Sequence, residues 1–509
     1  MELIKKRIHY IREGKKIFDQ FYVDEDYNIP EAKEDVRRIV DTGTELKIEE
    51  IRPVENYVRI TGKLYFRILY LNVSSDPKPG VLEGKLPFEE MVYAENQEGE
   101  EFYVQNVRIE FTPSLIHSRK LSLRAMVELE VGREKLVDEE TVTDAEGDVP
   151  LYKKMKKVQL LQLEVTKKDT YRIKEEITIP GTKESIGQIL FTDISERKLE
   201  LRPGQDELIV RGELFLFCMY LSGDEKPDWI SQTIPYEGRI PCEGISEEMY
   251  FSIRHTMEDT LTDLRMDEDG EMRILGIEGT LALHMNFYRE ESVELLEDLY
   301  SLQKQCLFDT TEVVCEELLM QNQSKCKVTE RLSLPELKTD VLQILHARGA
   351  IQVEHADRTG EGIRVEGILH LSFLYLRGDD AEPYGSWQGM IPFEHQIECK
   401  EMPEETVYNM EQHIEQLQIT LVGSESVEIK GILTFDTFLR RPVKVWTMEN
   451  VREEPLDLEQ LEKRPSIVGH IVQRGEDLWQ LAKQYMTTKE GIMAVSYTHL
   501  RAHETVLDL

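Results

Sequence analysis

The sequence predicts a mainly β protein made of three tandem sandwich-like or barrel-like units, followed by a short module with a partial βααβ pattern. Three observations carry this. A glycine-centred strand motif occurs three times, and a proline precedes each of its glycines by 32 residues: Pro30 to Gly62, Pro180 to Gly212, Pro335 to Gly367. Beyond about residue 455 the text changes character. A fixed period of this kind marks a structural repeat.

Within a repeat the first element is a basic lead-in. Lys5-Lys6-Arg7-Ile8 stands before Pro30 as Lys156-Lys157-Val158 stands before Pro180, and the parallel predicts a hairpin-like entry to each unit. After each proline, apolar residues recur at 3–4 spacing: Val36, Ile39, Val40; Ile186, Ile189, Leu190; Val341, Ile344, Leu345. Such spacing predicts one or two helical turns laid on a core, with proline where its missing N–H costs nothing.

The long strand follows. Leu64, Phe66 and Ile68 alternate after Gly62, as do Leu214, Leu216 and Cys218 after Gly212, and Leu369, Leu371 and Phe373 after Gly367. A tyrosine ends each run (Tyr70, Tyr220, Tyr375). A period of two places these side chains on one buried face, and the glycine implies a bulge or a close backbone approach. Next come Leu86-Pro87-Phe88-Glu89, Ile234-Pro235-Tyr236-Glu237 and Ile391-Pro392-Phe393-Glu394. No second acid or base recurs beside the glutamate through the three copies, so it is expected to cap a turn or to bind a backbone N–H.

A second strand closes each unit, with Ala125, Gly279 and Gly431 at equivalent small-residue positions. The units are therefore placed at 1–150, 151–300 and 301–455. Alternating strands with frequent turns favour antiparallel sheets.

Composition narrows the function. Of 509 residues 62 are Lys or Arg and 98 are Asp or Glu, a net charge of −36, which repels phosphate backbones and anionic lipid. Nucleic acid and membrane insertion are thus not expected. With 40% hydrophobic residues each unit can build a core. No apolar stretch suits a secretory signal or a membrane span, so a cytosolic protein is expected. Cys218, Cys242, Cys306, Cys315, Cys326 and Cys399 form no CxxC pair and read as reduced thiols used in packing.

Phosphate loops, HExxH, GxSxG and EF-hand patterns are missing from the sequence. The acidic run Asp267-Glu268-Asp269 beside Gly270 reads as a solvated turn. Of the histidines, His499 and His503 stand four apart, but in a tail set aside below. No enzyme activity, cofactor or metal is expected.

Residues 456–466 form a charged connector. A short strand is then predicted from His470 to Gln473, and Gly475 turns the chain. Asp477 can N-cap a helix with Gln480 as capping-box partner. Leu478, Leu481, Ala482 and Tyr485 would line one face of it, and Thr488 can cap a second helix. Residues 467–495 resemble the LysM family through Gly475-Glu476-Asp477-Leu478-Trp479, where the family has a Gly-Asp-Thr-Leu type of turn. The resemblance implies a binding module, cut short before its closing strand, that takes a glycan or a protein partner through Gly475, Asp477, Leu478, Trp479 and Tyr485. Trp479 is expected to be partly exposed or to anchor the turn, or else to pack the first helix beside the apolar face of Leu478, Leu481, Ala482 and Tyr485. Residues 496–509 match no LysM pattern and read as translated sequencing-adapter text.

Three such repeats followed by a LysM-type segment resemble the SPOCS-domain spore-coat proteins of spore-forming Clostridia, over residues 1–495. That resemblance implies a coat-assembly scaffold made in the mother cell and acting at the forespore surface. It would bind a SpoIVA-like coat ATPase partly through the LysM segment, and other coat proteins besides. The rival reading is a LysM-based peptidoglycan or chitin binder, which would call for an export signal and usually several LysM copies. A glycan-cleaving enzyme would need a carboxylate pair.

Overall fold

A computed structural model describes residues 1–500 except 96, 97, 336, 338–340, 424, 458, 460, 461, 464 and 466. Lys338 of the third proline segment, parts of the 456–466 connector, and residues 501–509 with His503 lie outside the described residues.

The first unit holds β1 (Glu2–Glu13), β2 (Ile17–Asn28), β3 (Val36–Val54), β4 (Tyr57–Asn72), β5 (Pro79–Tyr93), β6 (Glu101–Phe111), β7 (Ser114–His117) and β8 (Lys120–Glu146). The second holds β9 (Tyr152–Thr178), β10 (Ile186–Pro203), β11 (Glu207–Ser222), β12 (Pro227–Pro241), β13 (Tyr250–Met266) and β14 (Met272–Tyr300). The third holds β15 (Lys304–Ser333), β16 (Val341–Thr359), β17 (Gly362–Arg377), β18 (Tyr384–Glu398), β19 (Val407–Leu421) and β20 (Ser426–Pro455). Each unit is a sandwich of two antiparallel sheets. One has the order β3-β4-β5, β10-β11-β12 or β16-β17-β18; the other is centred on β8, β14 or β20.

The alternating residues after each glycine fill the sandwich cores. Leu64, Phe66 and Ile68 meet Leu121, Leu123 and Val127; Leu214, Leu216 and Cys218 do so in the second unit, and Leu369, Leu371 and Phe373 in the third. The glycine is explained by its cross-strand neighbour. Gly62 lies opposite Phe88, Gly212 opposite Tyr236 and Gly367 opposite Phe393. A Cβ on Gly62 would come within 2.8 Å of the Phe88 ring and 2.2 Å of the Lys47 carbonyl oxygen. The aromatic ring of one strand occupies the space the glycine leaves on the next.

The helical turns expected after each proline are strands. Val36, Ile186 and Val341 open β3, β10 and β16, and the pairing register slips between Val36 and Arg38 and again between Ile39 and Asp41. The same two slips recur at Ile186/Gln188 and Ile189/Phe191, and at Val341/Gln343 and Ile344/His346. Bulges thus shift the period of two, which produces a helix-like spacing. Val36 and Ile39 face their own core, whereas Val40 joins Leu190 and Leu345 in a cluster between units.

The lead-in also differs from expectation. β1 and β2 both pair with β8 on the same side, end to end, and β9 and β15 are single strands through the corresponding positions. No hairpin forms, because the long central strand supplies one continuous partner. Nor do the repeated glutamates cap turns. Glu89, Glu237 and Glu394 sit within strands and pair with Arg59 at 2.9 Å, Arg211 at 3.0 Å and Arg364 at 2.9 Å.

The units share apolar clusters. Leu69 and Leu71, Phe217 and Met219, and Leu374 project from the other face of β4, β11 and β17 and meet between units. Where the central strands run past the sandwiches, Ile8, Val158 and Val313 meet in a second shared cluster. Equivalent residues therefore converge from three units, as a threefold arrangement would bring them. The long strand pairs β1–β8, β9–β14 and β15–β20 together form a stalk.

Candidate partner-binding site

Two helices follow the connector, α1 (Leu478–Gln484) and α2 (Lys489–Leu500). Asp477 caps α1 as the sequence suggests: its Oδ1 accepts from the Gln480 amide at 2.7 Å. Thr488 Oγ1 accepts from Gly491 N at 2.9 Å at the start of α2. Gly475 makes the turn with φ +96°, a conformation open to glycine without steric cost. The predicted strand at His470 to Gln473 does not form. Among the described residues no strand pairs with it, and a lone strand leaves its backbone groups unbonded. Ile467 and Ile471 are 90% and 88% exposed there.

Trp479 is buried, so of the expected alternatives partial exposure falls away. It docks α1 onto the end of the second unit's strand pair. The indole Nε1 donates to Asp298 Oδ2 at 2.6 Å, and its ring meets that of Tyr300 edge-on at 4.9 Å between centroids. Lys483 reaches Asp298 Oδ1 at 2.6 Å, and Tyr300 Oη donates to the Thr487 carbonyl at 2.8 Å. Tyr152 stacks on Tyr300 at 5.0 Å between centroids. Ala482 and Ile492 complete the apolar contact. An aromatic with an apolar body and a polar tip suits such a half-polar seat.

Of the five residues singled out from sequence, Asp477 and Trp479 thus face the stalk. Asp477 Oδ2 lies 3.4 Å from Lys154 Nζ. Burial would raise the Asp477 pKa, but the Gln480 amide and the Lys154 charge hold it below the usual carboxylate range. Leu478 is half-buried and Gly475 exposed. Tyr485 belongs to a separate group, in which its Oη lies 3.0 Å from His470 Nδ1 and His470 Nε2 lies 2.8 Å from Glu476. The Gln473 amide and His470 lower the Glu476 pKa. Asp298, Tyr300, Tyr152 and Lys154 were missed in the sequence. They stand at the ends of β9 and β14, where nothing local distinguishes them from other strand residues.

Among the described residues no group of His, Cys, Asp and Glu has metal-binding geometry, and no helix is long and apolar enough to cross a membrane. The six cysteines are free thiols. Burial pushes the Cys218 and Cys315 thiols up to about 12, far from the thiolate form.

Comparison with known families identifies three copies of one domain. The family model described as SipL, SPOCS domain matches residues 35–112, 185–265 and 340–422. These spans cover β3–β6, β10–β13 and β16–β19. No curated protein and no solved structure matches the chain.

Proposed function

The chain belongs to the SipL family of SPOCS-domain proteins, and from that membership we propose that it is a non-enzymatic scaffold of spore-coat assembly. The threefold occurrence of the family's domain carries the reading. Three sandwiches joined by shared apolar clusters make a broad framework suited to holding other proteins. The helix pair at its end is, in this reading, a LysM-type module through which a SpoIVA-like coat ATPase is bound, with other coat proteins as further partners. The work would be done in the mother-cell cytoplasm, at the forespore surface.

Capture of a SpoIVA-like ATPase by the chain and by a version ending at residue 455 tests this. Loss of capture in the shorter chain supports the module as the docking element. Equal capture would move the contact to the SPOCS units. Substituting Trp479→Glu and, separately, Asp298→Ala refines the test, since both loosen the seat on the stalk but only the first alters the module's own aromatic. Retention of the chain on insoluble chitin or peptidoglycan, with no capture of the ATPase, would favour the glycan-binding alternative. Turnover of ATP or glycan by the purified chain, abolished by one point substitution, would overturn the non-enzymatic reading.

A further inference from the structure

The same strand edge is open in all three units. β2 pairs with β8, the later half of β9 with β14, and the later half of β15 with β20. Among the described residues no other strand pairs with these three. Their outer edges therefore carry a row of unbonded N–H and C=O groups, the feature that recruits a further strand.

Register makes the three edges comparable residue by residue. Val23 lies opposite Ala125, Ile173 opposite Gly279 and Val328 opposite Gly431, the equivalent small-residue positions. Counting from them, the outward positions are Phe18, Gln20 and Tyr22 in the first unit. They are Lys168, Thr170 and Arg172 in the second, and Gln323, Lys325 and Lys327 in the third. Long basic side chains on an edge strand discourage pairing, because adding a strand would strip their water. The second and third units are guarded in this way. The first carries two aromatics at the same places, Phe18 at 66% and Tyr22 at 60% exposure.

Charge on β2 points the same way. Asp24 and Asp26 follow Tyr22 on the outward face, with Glu25 between them, and all three are exposed. The first two are partly met by Arg124 at 3.2 Å and Lys120 at 2.7 Å. On the inner side Asp19 Oδ2 is buried with no hydrogen-bond partner. Burial pushes that carboxyl's pKa up.

We propose that the outer edge of β2 is a docking site where a partner protein adds an extended segment as a further strand. Main-chain hydrogen bonds would supply the pairing and alternate side chains the selectivity. The segment is apolar or aromatic beside Phe18 and Tyr22 and basic beside Asp24 and Asp26. A second copy of this chain fits less well, since each copy brings a net charge of −36 and its own β2 carries no Lys or Arg to meet Asp24 and Asp26.

The test uses the full chain and a synthetic peptide of roughly ten residues, enough to span β2. The peptide has Tyr and Val toward one end, Lys toward the other, and Thr at alternate positions. Anisotropy should report binding, and hydrogen exchange should show new protection in Ile17–Asn28. A Phe18→Lys/Tyr22→Arg double variant copies residues the second unit already carries at these positions, so the fold should tolerate it. It should weaken binding about tenfold, the scale of losing aromatic anchors. A peptide with Glu in place of Lys should bind less well. Absence of protection in β2, equal binding by the variant, or equal binding of the acidic peptide would overturn the proposal. So would a dimer of the free chain that already protects β2, since the occupant would then be a second copy.

Discussion

Arg440 of the third unit donates through Nη1 to Tyr288 Oη of the second at 3.1 Å, and both side chains are fully buried. Arg440 Nη2 also donates to Glu13 of the first unit at 3.0 Å, while Nε lies 3.4 Å from Glu316. One guanidinium thus touches all three units. Burial raises the Glu316 carboxyl to about 7, although Arg440 pulls it down.

Replacing Arg440 by Met should therefore destabilise the chain by about 3–5 kcal/mol, because Glu316 would remain buried, and Glu13 partly buried, without their cation. Protonation of Glu316 softens the loss in acid, so urea unfolding should show a larger deficit at pH 8 than at pH 6. An equal deficit at both would contradict this account.

The glycines opposite the aromatic rings differ in what an added methyl meets. At Gly62 and Gly367 the nearest atoms are the carbonyl oxygens of Lys47 and Gln352, at 2.2 and 2.3 Å; at Gly212 it is the hydroxyl end of Tyr236, at 2.4 Å. Backbone yields less readily than a side-chain tip. Gly62→Ala and Gly367→Ala should each cost about 1–3 kcal/mol, and Gly212→Ala less. Denaturant midpoints of the three single variants would decide the order.

The seam between the second and third units should respond to pH through His255, whose ring lies 4.7 Å from that of His413. Burial lowers the His255 pKa, but its contact with Glu196 at 3.1 Å more than reverses this and leaves it above the ordinary 6.5. Burial likewise raises Glu196, yet His255 holds it below 4.5. A histidine with a raised folded pKa stabilises fully below 6.5 and loses that stabilisation as pH rises through the folded value; the depressed carboxyl stabilises above 4.5 and fails in acid. The pair therefore acts fully between about pH 4.5 and 6.5. His284 works in the opposite direction, since burial and Arg254 push it down to about 4. His255→Gln should remove the part of the melting-temperature decline above pH 6.5 that this pair causes. Superimposable profiles of variant and parent would rule the pair out.

Asp298 holds both Trp479 and Lys483. Asp298→Ala should weaken the seat of the helix pair by about 1–3 kcal/mol, the range for hydrogen bonds to a charged group and for a donor left buried. The expected signature is a red shift in the Trp479 emission, isolated by difference against Trp479→Phe, with faster proteolysis in 456–476. An unshifted emission would show that packing on Tyr300 suffices.

Much of the sandwich was legible in the sequence because its causes are local. The alternation of Leu64, Phe66 and Ile68 follows from the pleat of a strand half-buried on a core. The threefold recurrence of Gly, each time followed 24 or 26 residues later by an aromatic, reflects one cross-strand contact made three times. The helix cap at Asp477 is equally local, since its carboxylate and the Gln480 amide lie three residues apart.

Other features were decided by contacts distant in sequence. The spacing of Val36, Ile39 and Val40 looks helical, yet bulges turn the first two to the unit's own core and the third to a cluster between units. That third environment exists only when three repeats meet. The apolar run Phe217-Cys218-Met219-Tyr220 carried a trace of it, since a strand buried on both faces loses its alternation. Trp479 reads as a residue for a partner until the stalk brings Asp298 and Tyr300, some 180 residues earlier in the chain, against its indole. Sequence periodicity records which side of an element is buried; only the assembled units determine what lies against it, because that partner is chosen by packing across the chain rather than along it.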